Sequence, residues 1–231
     1  MIPLKDDNQL KNRSYVRLII LIICSIIFLI QISSNNKELL IYYFGFKPAT
    51  LFYNTHSPTF TPLLTIITSI FMHGGWMHYL GNMLYLWIFA DNVEDVMGYK
   101  RFIIFYLVSG IFASLSQAAI DLQSNVPIIG ASGAIAGILG SYLYLFPKAR
   151  VLVLVPFFIF FTIRVPAYIL LIFWFIYQFL NLGNHASNVA WLAHIGGFVY
   201  GYLYSLLFLT KAHIQSHKGK SVFLKKKGPW S

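Results

Sequence analysis

Charge is scarce in this sequence. Charged residues make up 10% of its 231 positions, where a soluble domain carries about 25%. Acidic residues are rarest: seven Asp and Glu stand against 17 Lys and Arg. With 58% hydrophobic residues, the chain cannot build a water-facing surface, which excludes a soluble globular protein. Cysteine is nearly absent. The single Cys24 excludes an internal disulfide and any cysteine-based metal site. The formal charge of +10 would suggest nucleic acid as partner in a soluble chain. Here the basic residues lie in loops and tails between apolar runs, so the partner is a membrane and not a nucleic acid.

What is present is long apolar runs. Spanning a bilayer takes about 20 mostly apolar residues. Six segments qualify: 17–32, 63–89, 102–120, 128–146, 166–182 and 189–210. The expected fold is all-α, a polytopic membrane protein built as a six-helix bundle. The first segment has a basic leader like that of a signal peptide, but Gln-Ile-Ser-Ser after it is a weak cleavage site. It reads as a retained helix. Val151–Ile163 is apolar but carries Pro156 and precedes Pro166, so it reads as an interfacial hairpin rather than a further span. Six spans put both termini on one side. That side receives every basic residue except Lys37 and Lys47, a strong positive-inside bias. Both termini are expected in the cytoplasm. The organisation is then a cytoplasmic segment 1–16, a membrane domain 17–210 and a basic cytoplasmic tail 211–231. The sequence sets no oligomeric state.

Glycine explains how the helices meet. Ile128–Gly140 reads IIGASGAIAGILG, with four glycines in thirteen residues. Gly costs about 1 kcal/mol relative to Ala in a water-exposed helix. In lipid, small residues let backbones approach. Gly133-x-x-x-Gly137 in the fourth segment and Gly197-x-x-x-Gly201 in the sixth predict close packing of these two helices.

Polar residues inside the spans carry the chemistry. Counting from the segment starts at 1.5 Å per residue, Ser132 lies about 6 Å and His194 about 7.5 Å below the outer surface. His194, Gly197 and Gly201 share a helix face, so the imidazole points into the glycine seam. His78 and Asn82, four apart, share a face of the second segment. His73 lies about 140° from His78 on a continuous helix. A serine hydroxyl needs a base to become a nucleophile, and His194 can supply it. The amide of Asn82, an N–H of His78 and the backbone N–H of Ser132 suit an oxyanion. No Asp or Glu lies in this layer, so the unit is a dyad. A three-histidine zinc site from His73, His78 and His194 is the competing use. The angular offset of His73 and the lack of a carboxylate argue against metal. A solute transporter is disfavoured by the shallow, one-sided polar layer and by the lack of inverted repeats.

Four motifs together, "GASGAIAG", "AHIGGF", "FMHGGWMHYLGNM" and "DNVEDVMG", resemble the rhomboid intramembrane serine proteases, from about Leu63 to Leu206. The resemblance implies that Ser132 is the nucleophile, His194 the general base and His78 and Asn82 the oxyanion residues. His73 would be supporting, with Gly130, Gly133, Gly197 and Gly201. It implies cleavage of membrane-protein substrates within or beside a transmembrane helix, usually after a small residue, with no metal, ATP or other cofactor. It suggests a bacterial inner membrane, with the active site opening to the outer side. An inactive rhomboid-like protein that binds membrane clients is the alternative; it would be favoured by loss of the Ser or His, and both are present. Two departures stand out. Some members carry Tyr four residues after the serine, stacked on the histidine, where this chain has Ala136. The Trp-Arg pair often found in the first outer loop is replaced by "FGFKPATLFYNTHSPTF".

Overall fold

The computed structural model describes residues 2–53, 61–157, 159–184 and 189–209. The expected basic tail 211–231 and part of the first outer loop, 54–60, lie outside the described residues. The elements run β1 (Ile2–Asp6), α1 (Tyr15–Ser33), α2 (Lys37–Phe44), α3 (Pro48–Phe52), α4 (Pro62–Ser69) and α5 (Trp76–Met97). They continue with α6 (Tyr99–Ala118), α7 (Ser132–Leu145), β2 (Arg150–Phe157), β3 (Ile159–Pro166), α8 (Ala167–Leu180) and α9 (Trp191–Phe208). The molecule is mostly helical, as expected. α1 and α6, with 19 and 20 residues, are long and apolar enough to cross a bilayer. α7 and α8, with 14 residues each, are shorter.

Three boundaries differ from the sequence reading. The second apolar segment is not one helix. It breaks after α4 and restarts at Trp76, because the Gly74 N–H turns to the ring Nδ1 of His78 at 3.3 Å instead of continuing a helix. The fourth segment becomes helical only at Ser132. Before that, Ile128 pairs with Phe46 through two backbone bonds of 3.1 and 2.7 Å. Gly130 takes φ 127°, a conformation that favours glycine, and its N–H is spent on the Ser69 carbonyl at 2.9 Å. In the sixth segment the helix starts at Trp191. The depths counted from Ile128 and Val189 therefore do not hold, although Ser132 does sit at a helix start.

The expected hairpin at 151–163 forms: β2 and β3 pair antiparallel from Arg150↔Pro166 to Phe157↔Ile159. Its extension was not expected. β1 adds antiparallel to β2, from Ile2↔Leu154 to Asp6↔Val151, giving the strand order β1-β2-β3. This sheet is the departure from an all-α fold.

α7 is the hub, and every residue from Gly133 to Tyr142 is buried. It packs on α9, α6, α5 and α8. The glycines make the α7–α9 contact possible. A β-carbon on Gly197 would stand 2.1 Å from the Gly133 carbonyl oxygen, and one on Gly201 would stand 1.9 Å from that of Gly137. Outside this core the surface is apolar. α1 exposes Ile19, Ile22, Ile26 and Leu29, and α8 exposes Ile169, Phe173 and Ile176. Such continuous apolar faces are stable in lipid and not in water.

Candidate active site

Ser132 is the first residue of α7, with Ala131 as its N-cap. The first helical backbone bond runs from Ile135 N–H to Ala131 at 2.9 Å. The N–H groups of Ser132, Gly133 and Ala134 thus have no partner within the helix. They collect partial positive charge around the Ser132 hydroxyl.

Gly130 brings His78 to this point. A β-carbon on Gly130 would stand 2.6 Å from Nε2 of His78 and 3.5 Å from Oγ of Ser132. Both polar atoms therefore border the space that glycine leaves empty. The hydrogen bond from Gly74 fixes the state of His78. A backbone N–H donates to its Nδ1, so Nδ1 is an acceptor and the neutral ring carries its proton on Nε2. A donor thus faces the Gly130–Ser132 corner. Asn82 lies one turn further along α5, buried, and its amide nitrogen has no hydrogen-bond partner among the described residues.

His194 sits in the first turn of α9, partly buried. Its Nδ1 lies 2.8 Å from Oε1 of Gln178 on α8. The rings of Trp174 and Trp191 border it at centroid distances of 5.8 and 6.1 Å. The glycine seam holds α9 against α7: a β-carbon on Gly133 would lie 3.8 Å from the Ala193 carbonyl. Ser132 and His194 are not hydrogen-bonded to each other among the described residues.

His73 lies in the turn before α5, so the helical offset assigned to it does not apply. Its ring meets that of His78 edge-on at 5.3 Å, and also borders Phe28 and Tyr79. It is fully buried, with the Phe71 backbone as a polar neighbour of its ring. Its backbone is held by Gln31 of α1, which takes the His73 N–H at 3.0 Å and donates to its carbonyl at 3.2 Å. Among the described residues, no group of three or more His, Cys, Asp or Glu side chains is placed to hold a metal ion.

Sequence reasoning missed Gln178, Gln31 and Trp174. A signal existed for Gln178 and Gln31, amides near the ends of otherwise apolar spans. None existed for Trp174, whose place depends on packing between helices.

Comparison with known proteins bears on the family of the chain. The Rhomboid domain family model matches residues 61–211. Rhomboid protein 1, mitochondrial, of Saccharomyces cerevisiae is 30% identical over 156 residues, 66% of this chain and 43% of the yeast protein. RHOMBOID-like protein 4 of Arabidopsis thaliana is 32% identical over 149 residues, 64% of this chain and 34% of the plant protein. Rhomboid protease GluP of Bacillus subtilis is 34% identical over 137 residues, 59% of this chain and 24% of that protein. The aligned regions are thus less than half the length of each of these three relatives. The matched region takes in Ser132, His194, His78, Asn82, His73 and the glycine seam, and the chain belongs to the rhomboid family of integral membrane proteins.

Proposed function

We propose that this protein is an intramembrane serine endopeptidase that hydrolyses peptide bonds within or next to transmembrane helices of other membrane proteins. The observation that carries the proposal is the corner at Gly130. There a nucleophile at a helix N-terminus and the Nε2–H of His78 border one small space.

In this reading Ser132 Oγ attacks the scissile carbonyl and its proton passes to Nε2 of His194. The oxyanion receives hydrogen bonds from His78 Nε2–H, the free amide of Asn82 and the Ser132 backbone N–H. His194 then returns the proton to the leaving amine. Water, activated by the same imidazole, releases the acyl group. None of these steps calls on a metal or cofactor. His73 acts as a spacer, holding the His78 ring by edge contact.

We further propose that α1, α5, α6, α7, α8 and α9 are the six spans of a membrane domain 17–210. Both termini are cytoplasmic, with 211–231 a basic cytoplasmic tail, and the site opens to the outer face of a bacterial inner membrane. A cavity of about 230 Å³ between α5 and α8, lined by Tyr85, Leu170, Phe173, Trp174 and Tyr177, supports a route for the substrate. Trp174 belongs both to this groove and to the wall of His194.

A fluorophosphonate reagent is expected to label the purified protein in detergent, and Ser132→Ala to abolish the labelling. His194→Ala should stop cleavage of a reporter transmembrane helix without loss of folded protein. Labelling that persists in the Ser132→Ala variant would move the nucleophile elsewhere. No labelling and no cleavage by the intact protein would leave the reading of a client-binding rhomboid-like protein.

A further inference from the structure

The proposed dyad has no carboxylate to orient its histidine, and Ala136 supplies no ring to stack on it. The neighbouring helix provides a substitute. Gln178 of α8 is buried, and both ends of its amide are committed. Its Nε2 donates to the Trp174 carbonyl at 2.7 Å. A carbonyl can only accept, so the amide nitrogen must take that side and the amide oxygen must face α9. That oxygen lies 2.8 Å from His194 Nδ1. An amide oxygen also only accepts, so Nδ1 carries the proton and the neutral ring keeps its lone pair on Nε2.

We propose that Gln178 is the positioning residue of His194: it sets the tautomer and the ring plane that a general base needs, in the place where a triad would put a carboxylate. The two histidines then hold opposite tautomers for opposite tasks. His78 accepts at Nδ1 from Gly74 and offers Nε2–H. His194 gives Nδ1–H to Gln178 and offers the Nε2 lone pair. Each state is imposed by a partner outside the reacting atoms. A neutral amide orients the imidazole without adding a buried charge to a span, where charge is costly. The Trp174 and Trp191 rings restrict the remaining rotation of the His194 ring.

This inference rests on the endopeptidase reading, and its test separates the two. Protein carrying ¹⁵N-histidine is compared in detergent as wild type, Gln178→Leu and Gln178→Glu. The ring-nitrogen chemical shifts of His194, assigned by loss of its signals in His194→Ala, report the tautomer without any turnover. The wild type is expected to show the Nδ1–H form. Gln178→Leu should shift His194 towards Nε2–H and lower kcat on the order of 100-fold with KM little changed. That loss lies between that of an outer hydrogen-bond partner and that of a wrong tautomer. Gln178→Glu retains an acceptor and should restore the Nδ1–H form and at least a tenth of the lost kcat. An unchanged His194 tautomer in Gln178→Leu overturns the proposal while leaving the peptidase reading intact. A wild type that neither cleaves nor reacts with fluorophosphonate overturns that reading, and the nitrogen shifts still decide the role of Gln178.

Discussion

At one end of α5, Glu94 accepts three hydrogen bonds: from Ser14 Oγ at 2.5 Å, Val16 N–H at 2.9 Å and Arg17 N–H at 2.8 Å. Sixteen residues earlier on the same helix, about 24 Å away, stand His78 and its neighbours. There Asn82 keeps a buried amide nitrogen with no partner among the described residues. Both ends place polar groups in an apolar molecule. The Glu94 end uses them to hold the chain together. α1 has no side-chain cap of its own, and Glu94 caps it from another helix, aided by the helix dipole. Asp95 takes the N–H groups of Lys11 and Asn12. Arg17 pairs with Asp91 at 2.8 Å and lies over the Trp87 ring. Asp6 receives the Tyr142 hydroxyl at 2.6 Å and the Asn92 amide at 2.8 Å. Within this network only the Nε of Arg17 is a buried orphan among the described residues. At the other end the Asn82 amide nitrogen is buried without such a partner among the described residues. An unsatisfied buried polar group costs about 1–3 kcal/mol, and in the proposed reaction the oxyanion would supply the partner that Asn82 lacks.

If that contrast is right, substitutions at the two ends should separate activity from stability. Ser132→Ala tests it most severely. Turnover should fall by at least about 10⁴-fold, while the unfolding midpoint in detergent stays within the range of a neutral change, about 0.5 kcal/mol. A large loss of stability would place Ser132 among the structural groups. Asn82→Ala comes next. Removing an oxyanion donor should lower kcat about 100- to 1000-fold with KM little changed. Because its amide nitrogen is unpaired, stability should hold or rise slightly. An effect confined to KM would argue for substrate binding instead.

Glu94→Ala should do the reverse. It strands two backbone N–H groups and a hydroxyl at the start of α1, and should cost about 3–5 kcal/mol, read as a lowered thermal midpoint. At a temperature where the variant is folded, kcat should remain near wild type. A selective loss of kcat in folded protein would mean that the two ends are coupled through α5.

The contrast also explains what the sequence made legible. Residues whose partners lie within a few positions, or on a helix marked by glycines, could be read. His78 and Asn82 share a face, Ser132 opens a helix, and Gly197 and Gly201 meet Gly133 and Gly137. The hairpin at Pro156 was legible because two prolines and an arginine interrupt an apolar run. The break before α5 was not read, although Gly74 and Gly75 announced it, because the hydrophobicity on both sides is continuous. β1 was invisible because its partner strand lies almost 150 residues away and five residues carry no pattern of their own. Gln178 was visible as a residue and not as a role. Its meaning arises only where α8 meets α9.

Asp6 offers the mildest test, because it ties β1 to α7 without touching the site. Burial raises its carboxyl pKa from 3.8 to about 6, helped by the nearby Asp91 and Asp7 and opposed by hydrogen bonds from Tyr142 and Asn8. A raised carboxyl binds its proton more tightly when folded than when unfolded. Its contribution is therefore full below about pH 4 and is lost as pH rises through about 6, after which it is constant. The loss should be on the order of 3 kcal/mol. Asp6→Asn keeps an acceptor for Tyr142 and has no proton to lose. It should flatten that stretch of the stability–pH curve, with kcat at a fixed pH unchanged. If the slope between pH 4 and 6 survives the substitution, the proton is held elsewhere in the network, and Asp91, which faces Arg17 and Asn92, becomes the group to replace.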